Sequence, residues 1–266
     1  MIRIVAMPCL CADVFEKTGD IFPGGEALNF AANACHDAHV QVELMGASGD
    51  DPVGQAVLAA IRARPIGYDR VRIVPGGTTA RHIISLTEDG DRYFKPGAWS
   101  SGVYADFRLD ETDRAHLASA DFVFCTYSCP NFREVAEVRR SARFALAVDF
   151  DVTRDWASVE PFLPWIDIFF ISGNEELLPH FRAWSEQYPG LFNVTLAEKG
   201  SVTYHHGREY RVSAVPVAQV IDTTGCGDSY HAGFLCHYAA DGDILAAMHE
   251  GSRLASLTLS HMGGFA

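Results

Sequence analysis

Nearly uninterrupted apolar runs alternate along most of this chain with longer segments whose small and apolar residues are typical of helices. The runs occupy residues 2–7, 120–125, 144–150 and 166–171. Runs of this length without regular polar alternation are typical of strands that are buried on both faces of a parallel sheet. Their alternation with helices predicts an α/β fold in which helices cover both faces of one sheet.

Residues 70–96 follow a different pattern. Two extended segments, 71–74 and 81–86, precede the polar stretch Glu88-Asp89-Gly90-Asp91, and Arg92-Tyr93-Phe94 follows it. An Asp-Gly pair between two extended segments is a strong signal for a hairpin turn. These residues therefore predict a β-hairpin.

Composition restricts the kinds of partner. The chain has 266 residues, of which 48% are hydrophobic and 21% are charged, and its net charge is −13. A chain of this length suits one α/β domain with a sizeable core. The negative charge argues against nucleic acid and against an anionic membrane surface as partners, because both would repel it. It does not exclude ATP, which local N–H groups and Mg²⁺ can bind.

The seven cysteines and the N-terminus predict a cytoplasmic protein. Their number is odd and most lie in apolar surroundings, which is typical of reduced thiols. The start Met-Ile-Arg-Ile-Val has the pattern of a strand and lacks the layout of a signal peptide. No uncharged apolar run is long enough to span a membrane.

The stretch 220–230 carries the strongest candidate chemistry. Thr224-Gly225-Cys226-Gly227 lies where a loop enters an apolar helix. The first N–H groups of a helix lack helical partners and favour an anion, and glycines let the backbone approach that anion closely. Asp228 falls in the first turn, where a carboxylate would repel a phosphate but would suit a base that takes a proton from a nucleophile. The alternative is a helix cap after a tight turn.

The run Asp222-Thr223-Thr224-Gly225-Cys226-Gly227-Asp228-Ser229 resembles the C-terminal signature of the ribokinase-like, or PfkB-type, carbohydrate kinases. The resemblance implies that the N–H groups of Gly225, Cys226 and Gly227 form an anion hole for the transferring phosphate. It also implies that Asp228 is the catalytic base. Cys226 replaces the more common alanine, but both side chains are small and the role belongs to the N–H group.

The resemblance extends to the fold. It implies one domain over residues 1–266, a three-layer α/β/α sandwich with a small β-sheet lid. We expect residues 11–24 and 70–96 to form that lid, which would cover the sugar and exclude water from the reacting phosphate. A homodimer that forms through the lid would be consistent with this arrangement.

Two N-terminal features are expected to bind the sugar. Gly24-Gly25-Glu26-Ala27-Leu28-Asn29-Phe30-Ala31 resembles the family's N-terminal signature, in which paired glycines approach the sugar and an asparagine binds its hydroxyls. Gly24, Gly25 and Asn29 inherit those roles. Asp13 follows the first strand, and the family places a carboxylate there that accepts hydrogen bonds from two sugar hydroxyls. The alternative for the first feature is a glycine turn beside a buried asparagine that bonds to backbone.

Further positions concern the nucleotide and ions. Thr195-Leu196-Ala197-Glu198-Lys199-Gly200 resembles the family's nucleotide turn, so Thr195 and Gly200, together with Gly225 and Gly227, are expected to approach ATP. Glu175, and secondly Glu176, are candidates for ordering Mg²⁺ through water, although two acidic residues at a helix N-terminus are the simpler interpretation. Asp222 would border the monovalent cation site of family members that use K⁺.

The resemblance covers almost the whole chain and implies ATP-dependent transfer of a phosphoryl group to a sugar hydroxyl. Glycine-rich P-loop and protein-kinase signatures are absent from the sequence. Within the family, the short chain and the closing Gly-Gly-Phe-Ala look most like members that phosphorylate fructoselysine at O6. The alternatives are a fructokinase or ribokinase that acts on a free sugar, and a binding protein built on an inactive kinase scaffold.

Overall fold

The computed structural model describes residues 1–86, 92–93 and 95–266. The hairpin turn predicted at Glu88-Asp89-Gly90-Asp91 lies outside the described residues.

The strands are β1 (Ile2–Ala6), β2 (Cys11–Phe15), β3 (Ile21–Gly24), β4 (Val40–Gly49), β5 (Gly67–Val74), β6 (Ala80–Leu86), β7 (Arg92–Tyr93), β8 (Trp99–Ser100), β9 (Phe122–Thr126), β10 (Ala145–Asp149), β11 (Ile168–Ser172), β12 (Leu191–Thr195), β13 (Ser201–His205) and β14 (Arg208–Val212). The α-helices are α1 (Glu26–Ala34), α2 (Pro52–Arg62), α3 (Glu111–Ala118), α4 (Phe132–Ser141), α5 (Trp156–Val159), α6 (Leu178–Gln187), α7 (Cys226–Asp241) and α8 (Ile244–Thr258). Short 3₁₀ helices span Gly102–Asp106, Glu160–Trp165, Glu175–Leu177 and Ala197–Lys199.

The larger sheet has the strand order β14-β13-β12-β11-β10-β9-β1-β4-β5. Its strands from β12 to β5 are parallel, and β13 and β14 continue it as an antiparallel hairpin. Alternate side chains of β1 point to opposite faces, so Ile4 packs in one core and Val5 in the other. Helices α1, α2, α7 and α8 cover the first face, and α3, α4 and α6 cover the second. The apolar strand runs therefore fold as the sequence predicts, with helices on both faces.

A second sheet has the order β3-β2-β6-β7, with β8 paired to β6. Residues 11–24 and 80–86 thus lie in one small sheet. Residues 71–74 do not join it, in contrast to the sequence prediction, because β5 pairs in parallel with β4 at the edge of the larger sheet. The reason is that β4, α2 and β5 form a β-α-β unit, whose crossover brings the second strand back parallel to the first.

Within the described residues, none of the helices is both long enough and apolar enough to cross a membrane.

Candidate active site

A cavity of ≈ 730 Å³ lies between the second sheet and the carboxyl ends of the parallel strands. Ligands of open α/β sheets bind at those ends, because loops from several strands converge there. Six of the residues predicted from sequence line this cavity: Asp13, Gly24, Gly25, Asn29, Gly225 and Asp228. The N-terminal and C-terminal signatures thus meet at one site.

Asn29 and Asp228 contact each other directly. The Asn29 side chain is 4% exposed, and its Nδ2 donates a hydrogen bond of 2.8 Å to Oδ2 of Asp228. Glycines make room for this amide, since a Cβ on Gly24 would lie 3.2 Å from Asn29 Oδ1 and one on Gly264 would lie 2.4 Å from it. Oδ1 of Asn29 is buried and has no hydrogen-bond partner among the described residues. It therefore remains available to accept a hydrogen bond from a hydroxyl in the cavity.

The environment of Asp228 favours its neutral form. Its side chain is only 9% exposed, and burial raises the pKa of its carboxyl well above the usual value. The negative charge of Glu26 is the next cause of the raised pKa, while the hydrogen bond from Asn29 lowers it in part. Asp149 and Asp151 add to the increase. A carboxyl with a raised pKa is better suited to accept a proton near neutral pH than an ordinary aspartate.

This raised pKa predicts the pH dependence of the reaction. A base acts only when it is ionised, so kcat/KM should fall as the pH drops through the raised pKa of Asp228. We expect this acid limb at a clearly higher pH than an ordinary aspartate would give. In Glu26→Gln the limb should move to lower pH, because the substitution removes a negative charge that raises the Asp228 pKa. A pH profile of kcat/KM at saturating ATP measures the position of the acid limb in the wild type and in the variant. A limb at the same pH in both proteins would show that Glu26 does not raise the pKa of Asp228.

The glycine loop presents N–H groups at the start of α7. Gly225 is the N-cap and has a φ of 70°, a left-handed conformation that favours glycine. Within the described residues no acceptor bonds to the N–H groups of Gly225, Gly227 or Asp228. The N–H of Cys226 differs from the sequence prediction, because it donates to the Thr223 carbonyl at 3.2 Å. The loop can therefore bind an anion through Gly225, Gly227 and Asp228 N–H groups in this conformation.

The Cys226 side chain points away from the anion site. Its Sγ lies 3.8 Å from the Ala255 carbonyl of α8, and burial raises the pKa of the thiol. It is thus a small side chain packed between two helices, which explains why it can occupy a position where alanine is more common.

Asp222 connects the glycine loop to the C-terminal segment through hydrogen bonds. The side chain is 7% exposed, and its Oδ1 accepts hydrogen bonds from the N–H and the hydroxyl of Thr224 at 3.0 and 2.9 Å. Its Oδ2 accepts one from Gly263 N–H at 2.8 Å. These bonds give Asp222 a structural role, and its role beside a monovalent cation stays a prediction.

Two of the predicted nucleotide residues, Thr195 and Gly200, and the predicted magnesium residues Glu175 and Glu176 lie outside the cavity lining. Thr195 ends β12, and Gly200 has a φ of 89° where a Cβ would lie 2.0 Å from the Val212 carbonyl. Position 200 therefore requires a glycine, because the backbone just before β13 lies close to the end of β14. Glu175 is exposed and lies 3.1 Å from Lys199 Nζ. Glu176 is also exposed, and its N–H bonds to Asn174. The nucleotide and magnesium roles of these residues stay predictions.

Sequence reasoning missed two features of the site. An aromatic wall lines the cavity, in which the ring centroids of His82 and Trp99 are 4.7 Å apart and those of Trp99 and Tyr104 are 6.1 Å apart. Gly264 lies behind the amide of Asn29 and against Gly225. The resemblance suggests that the closing residues 261–266 complete the cation site beside Asp222, but nothing in the sequence indicates that Gly264 approaches Asn29 and Gly225.

Comparison with known proteins agrees with this geometry. A family model described as pfkB family carbohydrate kinase matches residues 14–265. The chain is 31% identical over 258 residues to the "Fructoselysine 6-kinase" of Shigella flexneri, with 96% of each chain covered. Its structure resembles those of adenosine kinase from Sinorhizobium meliloti and of Arabidopsis thaliana ribokinase complexed with ribose and ATP. Each has a TM-score of 0.82 at 20% identity. The match to the adenosine kinase covers 100% of this chain and 95% of that chain, and the match to the ribokinase covers 98% of this chain and 93% of that chain. The predicted ribokinase-like α/β fold is confirmed.

Proposed function

Since the chain belongs to the pfkB family of carbohydrate kinases, and is thus an ATP-dependent sugar phosphotransferase, we propose that it phosphorylates a fructosamine on O6. A fructosamine is fructose joined through C1 to an amine, such as the side chain of lysine. The observation that carries the proposal is the charge of the cavity. Besides the carboxyl of Asp228, its lining includes the carboxylates of Asp13, Glu26 and Asp151, and neither lysine nor arginine occurs among the described lining residues.

A cavity of this charge favours a cationic substrate over a neutral one. The secondary amine of a fructosamine is protonated at neutral pH, and an ammonium group that leaves water needs an anionic partner. Glu26 is placed for this role, because it lines the cavity in the first turn of α1, beside the sugar-binding Asn29. Asp106, in the 3₁₀ helix Gly102–Asp106, is exposed and is absent from the cavity lining.

The remaining groups would orient the sugar and complete the transfer. Asp13 and Asn29 bind ring hydroxyls, which leaves O6 towards Asp228. Asp228 accepts the O6 proton as O6 attacks the γ-phosphorus, the bond to the β–γ bridging oxygen breaks, and ADP leaves. The N–H groups of Gly225 and Gly227 stabilise the charge that develops on the transferring phosphoryl group. The aromatic wall with Trp99 excludes water from this step.

Carboxylates outside the cavity would hold magnesium, and Glu175 would exchange its contacts with Lys199 and Arg211, at 3.1 and 3.7 Å, for the hydrated ion. Mg²⁺ keeps several of its waters, so exposed oxygen ligands such as those of Glu175 and Glu176 suit it better than a dry pocket does. When bound, the ion neutralises charge on the β- and γ-phosphates.

The substrate proposal predicts a preference and its cause. The wild type should show a higher kcat/KM for fructoselysine than for fructose or ribose under the same ATP and Mg²⁺. In Glu26→Gln the KM for fructoselysine should rise by about tenfold, while the KM for free fructose should change little, since the lost ion pair concerns only the ammonium. The measurements are made on the pH plateau, so that the altered Asp228 pKa does not contribute.

Asp106→Asn is the matched control, because it removes the same charge outside the cavity and should leave both KM values unchanged. If a free sugar is the better substrate of the wild type, the fructosamine assignment is wrong and a fructokinase- or ribokinase-type activity replaces it. If no sugar yields ADP, the protein only binds its ligands.

A further inference from the structure

Three buried groups that can bind a metal meet behind the cavity. They are Asp149 at the end of β10 and Asp228 and His231 on α7, with one ligand atom from each lying within 4.8 Å of the others. Asp228 and His231 are three positions apart, so α7 presents them on one face. Their side chains are buried, and the exposed side-chain fractions are 10% for Asp149 and 3% for His231.

The imidazole of His231 is the unexplained member of this group. Its Nδ1 is buried and has no hydrogen-bond partner among the described residues. The nearest acidic atom, Asp149 Oδ2, lies 3.9 Å away, which is too long for a hydrogen bond. The ring is held in place by Phe170, whose centroid is 4.3 Å away. A buried polar atom of this kind normally has a partner, so the geometry calls for one between His231 and the two carboxylates.

We propose that Asp149, Asp228 and His231 form a binding site for a divalent cation of the zinc type, and that its occupation inhibits the kinase. Two ligands that are each about 2.1 Å from Zn²⁺ can be at most about 4.2 Å apart. The 3.9 Å between His231 and Asp149 meets this limit, and because all three ligand atoms lie within 4.8 Å of one another, the most distant pair has to close by at most about 0.6 Å to share one ion. A set of two carboxylates and one imidazole favours Zn²⁺ over Mg²⁺, which prefers oxygen ligands.

The imidazole is in its metal-binding form, whereas the two carboxyls would release protons on binding. Burial lowers the pKa of His231 to about 3, so the imidazole is neutral and keeps a lone pair. Burial raises the pKa of Asp149 to about 7, and the negative charges of Asp151 and Glu26 add to the increase, so a bound cation would displace a proton from this carboxyl. An ion can reach the site from the cavity, since Asp228 and Asp151 line it. A cation bound to Asp228 would occupy the oxygen that accepts the substrate proton, which is why binding should inhibit.

The first test measures Zn²⁺ binding to the free protein by calorimetry, in the presence of excess Mg²⁺ and without sugar or ATP. We expect one ion per chain. His231→Phe keeps a ring of similar size but no ligand atom, and it should weaken binding by roughly 100-fold or more, since loss of even an indirect partner of a ligand costs 10–100-fold. Asp149→Asn should weaken binding as well and is the second variant if His231→Phe does not fold.

The matched control is His206→Gln. His205 and His206 are adjacent on the β13–β14 hairpin, with ring centroids 4.0 Å apart, and could bind a metal outside the proposed site. The control should bind Zn²⁺ like the wild type. Binding that is lost in His206→Gln but kept in His231→Phe would overturn the inference, as would the absence of stoichiometric binding.

Two further readouts complete the test. Co²⁺ in place of Zn²⁺ should give visible absorption of a site with nitrogen and oxygen ligands, whereas a strong near-ultraviolet thiolate band would assign the ion to cysteines and contradict the proposal. Micromolar Zn²⁺ should lower kcat of the wild type and a chelator should restore it, while His231→Phe should resist the inhibition. Equal inhibition of both proteins would overturn the inhibitory role.

Discussion

Replacing Asp228 with asparagine should lower kcat by roughly 10²–10⁴, the range expected when a general base is removed. Asparagine has nearly the same size and can still accept the hydrogen bond from Asn29, but it cannot take the proton of the sugar hydroxyl. Binding should therefore persist, with dissociation constants for sugar and ATP close to those of the wild type. Steady-state kinetics and calorimetry on the same protein measure the two effects separately.

Asp241→Asn is the control for this experiment. Asp241 lies at the other end of α7, is exposed, and lies 3.6 Å from His237. Its substitution removes the same charge from the same helix and should leave kcat unchanged. Turnover of Asp228→Asn at the rate of the wild type would remove Asp228 from the mechanism and leave it as a buried helix-start residue.

The residues that short motifs specify were predictable, because their roles depend on local backbone geometry. Gly225 needs a left-handed φ before the helix and Asp228 follows in the first turn, and both requirements are visible in consecutive residues. The same holds for Gly25, which has a φ of 95° immediately before α1. A sequence can carry such information because the chemistry and the turn occupy the same few positions.

Contacts between distant residues were not predictable in this way. Asn29 and Asp228 are 199 positions apart, and their hydrogen bond lowers the pKa of Asp228 in part. No pattern in either segment indicates that the two side chains meet. The surroundings of Glu175 show the same limit. Lys199 and Arg211 lie near its carboxylate but belong to other elements, so the sequence around Glu175 does not indicate these contacts.

Strand pairing was a further limit. Residues 71–74 and 81–86 both have the composition of extended, partly exposed strands. Periodicity shows that a segment is extended, but it does not show which sheet the segment joins. The preceding helix α2 decides this for β5, because it returns the chain beside β4.

The close packing of Gly225 against Gly264 leads to the last prediction. A Cβ on Gly225 would lie 2.4 Å from Gly264 Cα, and the φ of 70° is unfavourable for alanine. Gly225→Ala should therefore displace the loop, whose N–H groups we propose to bind the transferring phosphoryl group. We expect kcat to fall by roughly 10²–10³, as for the loss of one donor of an oxyanion hole. Kinetics together with thermal unfolding measure the effects on catalysis and on stability.

Gly242→Ala separates backbone strain from the geometry of the site. Gly242 caps the other end of α7 with a φ of 75°, and a Cβ there would meet nothing within 4 Å. Both variants pay a similar cost for the left-handed conformation, about 1–3 kcal/mol. Only Gly225→Ala also pushes against Gly264, and through Gly264 against the amide of Asn29. If the two variants lose equal stability and Gly225→Ala keeps its kcat, the N–H groups of this loop do not stabilise the transition state.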